Sequence, residues 1–251
     1  MKARERLLSF LSPIALLLIW EALVRTALLD ERFFPAPTTV MKALGDLAAS
    51  GDLWINVKAS LLRIVAGFII GAVPGAVLGI AMGLNRWVRA VVNPLISATY
   101  PIPKTAIFPL IMLFFGLGEP SKIALVAISV FYVILINAMA GVMQIDPIYL
   151  DVGRNLKVGR LQFFRTIALP GALPVLMAGV KLAMGVALIV LVMAEIVAPK
   201  SGIGFLIWRS WNTLVVEEMY AGLIVISVIG LLTTWLLDEL ERLVVPWKRG
   251  L

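Results

Sequence analysis

Four charged residues lie inside otherwise apolar runs of this chain: Glu21, Lys104, Lys181 and Glu195. A charge at the centre of a membrane-spanning helix costs at least about 2.5 kcal/mol, so each needs a partner or a wet cavity. Lys104 follows Pro101 and Pro103, where a broken helix would free backbone groups and a cation could meet a passing anion. The alternative for Lys104 is a side chain that snorkels to an interface or pairs with an acid. Glu195 is the second candidate for a transport path, weighed against a structural or interfacial role. Lys181 lies about 21 Å from it along the same helix, which excludes direct pairing there. With no His and no Cys, the chain lacks the Ser-His-Asp triad, the paired-His zinc helix, thiolate metal sites and disulfides. No spacing brings Glu21 and Glu195 together, so intramembrane acid–base catalysis has no basis.

The elements that must position these charges follow from composition. Of 251 residues, 61% are apolar and 15% charged, and the mean hydropathy is +1.00. A soluble domain needs roughly a quarter of its residues charged, so the chain reads as one all-α, polytopic membrane domain over residues 1–251. A span takes about 20 apolar residues, and six are expected, at about 7–29, 61–84, 91–115, 123–142, 173–197 and 221–237. The third carries Pro94, Pro101, Pro103 and Pro109 and must be kinked or interrupted. The second carries Gly67, Gly71, Gly75, Gly79 and Gly83 at every fourth position, a stripe on which another helix can pack closely. Val40, Met41, Leu44 and Leu47 predict an amphipathic helix on the membrane surface, and 199–220 reads as a loop. Asn93, Ser129 and Asn137 are read as hydrogen-bonding between helices. Lys and Arg are in surplus on the side of the termini and of the 146–170 loop, whereas Arg63 and Lys122 count with the opposite side, so both termini are expected in the cytoplasm. The net charge of +7 is thus explained without nucleic acid.

The 146–170 loop has its own pattern. Ile148 to Leu156 and Leu161 to Ala168 read as two short helices joined at Lys157-Val158-Gly159, with Gly159 able to take positive φ, and ending at Leu169-Pro170. Its mixture of apolar and basic residues suits a partner's groove better than bulk water.

Here the chain resembles the permease subunits of binding-protein-dependent ATP-binding-cassette importers. Their cytoplasmic signature, the EAA motif, is Glu-Ala-Ala, three residues, Gly, nine residues, then Ile-x-Leu-Pro. This sequence supplies Asp151-Val152-Gly153, then Arg154 to Leu156, then Lys157 in place of the Gly, nine residues, and Ile167-Ala168-Leu169-Pro170. Phe34-Pro35-Ala36-Pro37, Pro101-Ile102-Pro103-Lys104, Pro109-Leu110 and Phe115-Gly116-Leu117-Gly118 are similar to the subgroup handling sulfonates, taurine, nitrate or bicarbonate. The resemblance runs over about residues 13 to 245.

The resemblance implies a type I importer permease fold (MetI-like) in the bacterial inner membrane, probed from outside by a solute-binding protein. Two permease copies, most simply a homodimer, would line one path for a small anion. Two cytoplasmic ATP-binding subunits would each grip a loop around Asp151 to Gly159 and would hold the ATP and Mg. This chain has no Gly-rich P-loop pattern, needs no cofactor of its own, and would not itself be an enzyme. Close relatives handle pyrimidines or thiamine precursors, which keeps such a substrate as the alternative. A self-contained secondary carrier is the other, although no inverted repeat is evident.

Overall fold

The computed structural model describes residues 3–247, with side chains from position 11 onward apart from those of Arg154 and Arg160. Lys2, Lys248 and Arg249, which belong to the basic surplus on the side of the termini, lie outside the described residues. The chain forms α1 (Ala3–Arg25), α2 (Pro37–Ser50), α3 (Asp52–Leu84), α4 (Arg86–Thr99), α5 (Phe108–Phe115), α6 (Glu119–Met143), α7 (Pro147–Asn155) and α8 (Arg160–Phe163). A π-helical turn (Phe164–Ala168), α9 (Leu169–Val197), α10 (Ile203–Asn212) and α11 (Val216–Val244) complete it. Among the described residues, four helical stretches, Asp52–Leu84, Glu119–Met143, Leu161–Val197 and Val216–Val244, are long and apolar enough to cross a membrane.

Glycine spacing sets the centre of the fold. Gly67 packs on Val126, Gly71 on Ala127, Gly75 on Phe131, Gly79 on Leu135 and Gly83 on Val142, so α3 and α6 run parallel along the whole stripe. A Cβ at Gly71 would overlap the backbone oxygen of Ala127, so this approach is open only to glycine. From the other side α9 packs antiparallel on α6, with Gly141 against Ala172 and Gly179 against Asn137. Ile64, Val126, Val130, Ile134, Ala183, Ala187 and Leu191 fill the centre of this three-helix layer.

Several expectations need correction. The amphipathic α2 does not spend its apolar face on lipid: Val40 and Leu47 are buried against Leu53, Leu206 and Ala221, and Met41 points outward. The expected loop at 199–220 contains α10, whose Ile203, Leu206 and Ser210 are buried. Asn137 and Ser129 do not bridge helices, since they donate to Val133 O and Leu125 O of their own turn. The third expected span is interrupted, as its prolines require: α4 ends at Thr99, residues 100–107 are non-helical, and α5 resumes at Phe108.

Candidate functional site

The 146–170 segment sits where α6 ends and α9 begins. On α7, Leu150 turns inward and packs, with Phe164 and Ile167, onto the cluster of Ile80, Ala138, Val142, Ile145 and Ala172. Gly153 lies against the rings and methyls of Phe163 and Ile167, with a Cβ there only 2.8 Å from Ile167 Cδ1; a small residue is what lets α7 lie on the following helix. The opposite edge is apolar and bare: Ile148, Tyr149, Val152, Leu156 and Leu161 are all exposed, Leu156 by 71%. Asp151 and Lys157 are exposed beside them. The side chain of Arg154, expected in this surface, lies outside the described residues.

The turn corrects the expected role of Gly159. Lys157 itself takes the left-handed conformation, φ 51°, and Gly159 does not. The N–H of Leu156 donates to Val152 O at 3.0 Å and that of Val158 to Gly153 O at 3.1 Å. This is the Schellman ending of a helix, in which the residue past the cap is left-handed. Lys157 thus adopts, at the signature glycine's position, the geometry a glycine would supply. A second correction concerns the far end: the helix does not stop at Leu169-Pro170, because the π turn at Phe164–Ala168 runs without a break into α9. Pro170 therefore lies inside a continuous helical run, directly after the π turn, whose widened hydrogen-bond pattern accommodates a residue without an N–H.

Lys104 lies at mid-depth of the three-helix layer. A cavity of about 420 Å³ there is lined by Tyr100, Pro101, Ile102, Pro103, Lys104 and Thr105 from the break, Ser129, Tyr132 and Val133 from α6, and Val186 and Val190 from α9. The structure therefore brings Pro101, Pro103 and Lys104 together. The ammonium donates to Thr99 O at 2.9 Å, Tyr100 O at 3.1 Å and Ile102 O at 2.9 Å, which uses all three of its protons. It also lies 4.2 Å from the centre of the Tyr132 ring, and Tyr132 Oη donates to Thr99 Oγ1 at 2.8 Å. Lys104 thus ties off the carbonyls freed where α4 ends, and offers the cavity its charge.

Glu195 stands elsewhere, at the end of the layer opposite the 146–170 segment. It is fully buried with Arg63, whose guanidinium spends all five donors: Nε and Nη2 on Glu119 at 2.5 and 2.6 Å, Nη1 on Glu195 and on Ser201 O at 2.6 Å each, and Nη2 on Ser201 Oγ at 2.7 Å. Ser60 Oγ and the Gly204 N–H donate to the Glu195 carboxylate at 2.8 and 2.9 Å, and Asn56 Oδ1 accepts from Gly202 N at 2.8 Å. This knot ties α3, α6, α9 and α10 together. Lys122 is also fully buried nearby, and its Nζ has no hydrogen-bond partner. Sequence reasoning placed Arg63 and Lys122 among exposed loop charges; the usable signal was Glu195 itself, a lone acid demanding a cation. Lys181 is paired with Asp238 and Glu241 of α11, and Glu21 holds the start of α2 by accepting from Thr38 N and Oγ1 at 3.1 and 2.9 Å. Among the described residues no group of three or more Asp or Glu could hold a metal ion.

Comparison with known proteins agrees with this architecture. The family model described as "Binding-protein-dependent transport system inner membrane component" matches residues 75–249. The chain is similar to the taurine transport system permease protein of Escherichia coli, 32% identical over 98% of this chain and 91% of that one. It is also similar to the nitrate import permease protein of Synechocystis, 30% identical over 92% and 86%. Among solved structures, a chain of the methionine ABC transporter in inward-facing conformations shares the fold, with a TM-score of 0.57 and 18% identity over 78% of this chain and 95% of that one.

Proposed function

This chain belongs to the family of binding-protein-dependent transport system inner membrane components, and from that premise we propose that it is the membrane-spanning permease subunit of an ATP-binding-cassette importer for a small anion. Residues 1–251 act as one non-catalytic permease domain of the bacterial inner membrane, with both termini and the 146–170 segment in the cytoplasm. A second copy of the chain completes the path, an extracytoplasmic solute-binding protein delivers the substrate, and two ATP-binding subunits hold the ATP and Mg. The coupling surface comprises Asp151, Val152, Gly153, Arg154, Leu156, Lys157, Gly159, Ile167, Leu169 and Pro170.

The observation that carries this reading is the exposed edge of α7 and its turn. Ile148, Tyr149, Val152, Leu156 and Leu161 are apolar and uncovered at signature spacing, on a helix pair whose other face is anchored to the ends of α3, α6 and α9. Such an edge suits a groove on a partner, and the anchoring would carry a push on α7 into the spans. The taurine and nitrate permeases among the relatives support a small anion as substrate. The mid-depth cavity of about 420 Å³ beside Lys104 has the size of a small-solute site. Glu195, held in the Arg63 knot, serves the frame of the path in this reading.

The test is affinity purification of the tagged chain from native membranes in mild detergent. An ATP-binding subunit should co-purify with ATPase activity, and Asp151→Arg or Leu156→Asp should lower its capture at least about tenfold, equivalent to 1.4 kcal/mol, without preventing membrane insertion. Recovery of the chain alone, together with transport in liposomes lacking ATP, would make it a secondary carrier instead.

A further inference from the structure

The helix α4 has no buried residue, yet its surface is not uniform. It runs back from the coupling-loop end of α3 toward mid-depth, where it ends at the Lys104 cavity. Val88, Arg89, Val92 and Ile96 are partly covered, the side turned to α3. At about 100° per residue, Trp87, Val91 and Leu95 form a second side, entirely apolar; they are 69%, 71% and 64% exposed, which suits lipid. Arg86, Asn93 and Ser97 fall within about 40° of one another on a third side. All three are exposed. An exposed amide in a membrane-spanning segment is costly against acyl chains and favours water or another polar group, and a hydroxyl beside it favours the same side. The start of α4 is basic: Arg86 stacks on Trp87 at 4.8 Å, and Arg89 Nη1 reaches Met82 O at 3.4 Å.

Resting on the importer reading above, we infer that the Arg86, Asn93 and Ser97 side of α4 is the wall of the inner half of the anion path, closed by a second copy of the chain, and that it selects for anions. The α4 helix is about 21 Å long, roughly the reach from mid-depth to the coupling-loop face of a bilayer that is about 40–45 Å thick with its headgroup regions. An anion leaving the Lys104 cavity meets neutral hydrogen-bond donors first, Ser97 and then Asn93. It then meets Arg86 at the mouth. Graded in this way, the wall draws an anion onward without holding it by a buried ion pair, and a cation is repelled at both ends of the passage.

The absence of Cys makes the test clean. Single variants Val91→Cys, Asn93→Cys, Leu95→Cys and Ser97→Cys are prepared in the assembled transporter in inside-out membrane vesicles. They are treated with membrane-impermeant methanethiosulfonates carrying either a sulfonate or a trimethylammonium group. Cysteines at 93 and 97 should react and those at 91 and 95 should not. Relative to a small thiol in solution, the anionic reagent should be favoured at 97 by roughly tenfold, and Arg86→Gln should reduce that preference. Each variant's retention of the co-purifying ATP-binding subunit checks that it is folded, and the four positions control for one another. Reaction at 91 and 95 in place of 93 and 97 would overturn the inference. So would disulfide formation between copies at 93 or 97 without reaction from water, or equal normalised rates for the two reagents. None of these readouts needs transport, so the importer reading stands or falls separately, on whether the unsubstituted chain captures an ATPase.

Discussion

Arg63→Met tests the buried knot at the end of the layer opposite the coupling loop. Arg63 is 1% exposed and Glu195 is completely buried, so the substitution leaves a carboxylate in the interior without the cation that touches it at 2.6 Å. Breaking a buried pair by removing one partner costs about 3–5 kcal/mol, chiefly because the remaining charge is uncompensated. Lys122, buried nearby and without a hydrogen-bond partner, offsets some of that charge and places the expectation near the lower end, about 3 kcal/mol. For a chain of this size that lowers Tm by roughly 6–12 °C, read by thermal unfolding of the purified protein in detergent. The second arm adds Glu195→Gln to Arg63→Met. The neutral amide oxygen still accepts from Ser60 Oγ or Gly204 N, which lie at 2.8 and 2.9 Å from the carboxylate, so the double variant should regain more than half of the lost Tm. The two substitutions are therefore strongly non-additive. A loss under 2 °C for Arg63→Met, or a further fall on adding Glu195→Gln, would refute the argument that an unpaired carboxylate is what the arginine prevents.

Gly71→Ala should lower stability by about 1–3 kcal/mol, because its Cβ meets the Ala127 backbone and α6 has to move; Gly45→Ala, with nothing within 4 Å, should instead gain about 0.5–1 kcal/mol of helix propensity, both read from the same unfolding curves. Lys157→Gly should stabilise the coupling turn by about 1 kcal/mol, since it removes an L-residue from φ 51°, and should retain ATPase capture. Lys157→Val should lose both stability and capture, and Gly159→Ala should stay within about 0.5 kcal/mol of the parent, as expected where no positive φ is required. Lys104→Met strips the proton donors from the carbonyls of Thr99, Tyr100 and Ile102 and should cut uptake of the transported anion at least about tenfold, about 1.4 kcal/mol, with ATPase capture intact; unchanged uptake kinetics would remove Lys104 from the path.

What could be read in the sequence follows from whether the information is local. The stripe from Gly67 to Gly83 announced a close helix contact because only the absence of a side chain allows two backbones to approach so nearly. The prolines at 101 and 103 announced the break in the third span because the loss of an N–H acts within one turn, whereas Pro94 lies inside α4 and Pro109 in the first turn of α5. The α7 turn was half legible: the spacing of Asp151, Lys157 and Ile167 located it, but propensity assigns a left-handed residue to glycine and so favoured Gly159 over the lysine that adopts it. The helix α10 was hidden because Pro199-Lys200-Ser201-Gly202 reads as loop and the ten residues of Ile203–Asn212 are too few to display a period against so polar a start.

Charges were least legible of all, for a reason that loop counting cannot repair. Arg63 falls at the edge of an apolar run, where a charge is ordinarily assigned to water and to the tally that sets orientation. Its actual place is decided by Glu195, 132 positions later in the chain, by Glu119 and by the Ser201 carbonyl. Arg63 and Glu195 would each be costly to bury alone, and they are tolerable together because the guanidinium presents five donors in a fixed plane. Glu195, read as a candidate for the transport path or for a structural role, is held by the same pairing. The Lys104 ammonium differs in kind: its partners are carbonyls two to five positions away, freed by prolines that the sequence displays openly, and so its location in the break was readable while its full set of hydrogen bonds was not. A buried charge becomes interpretable when its counter-charge is known, and in this chain only the local partner can be found by reading along the sequence.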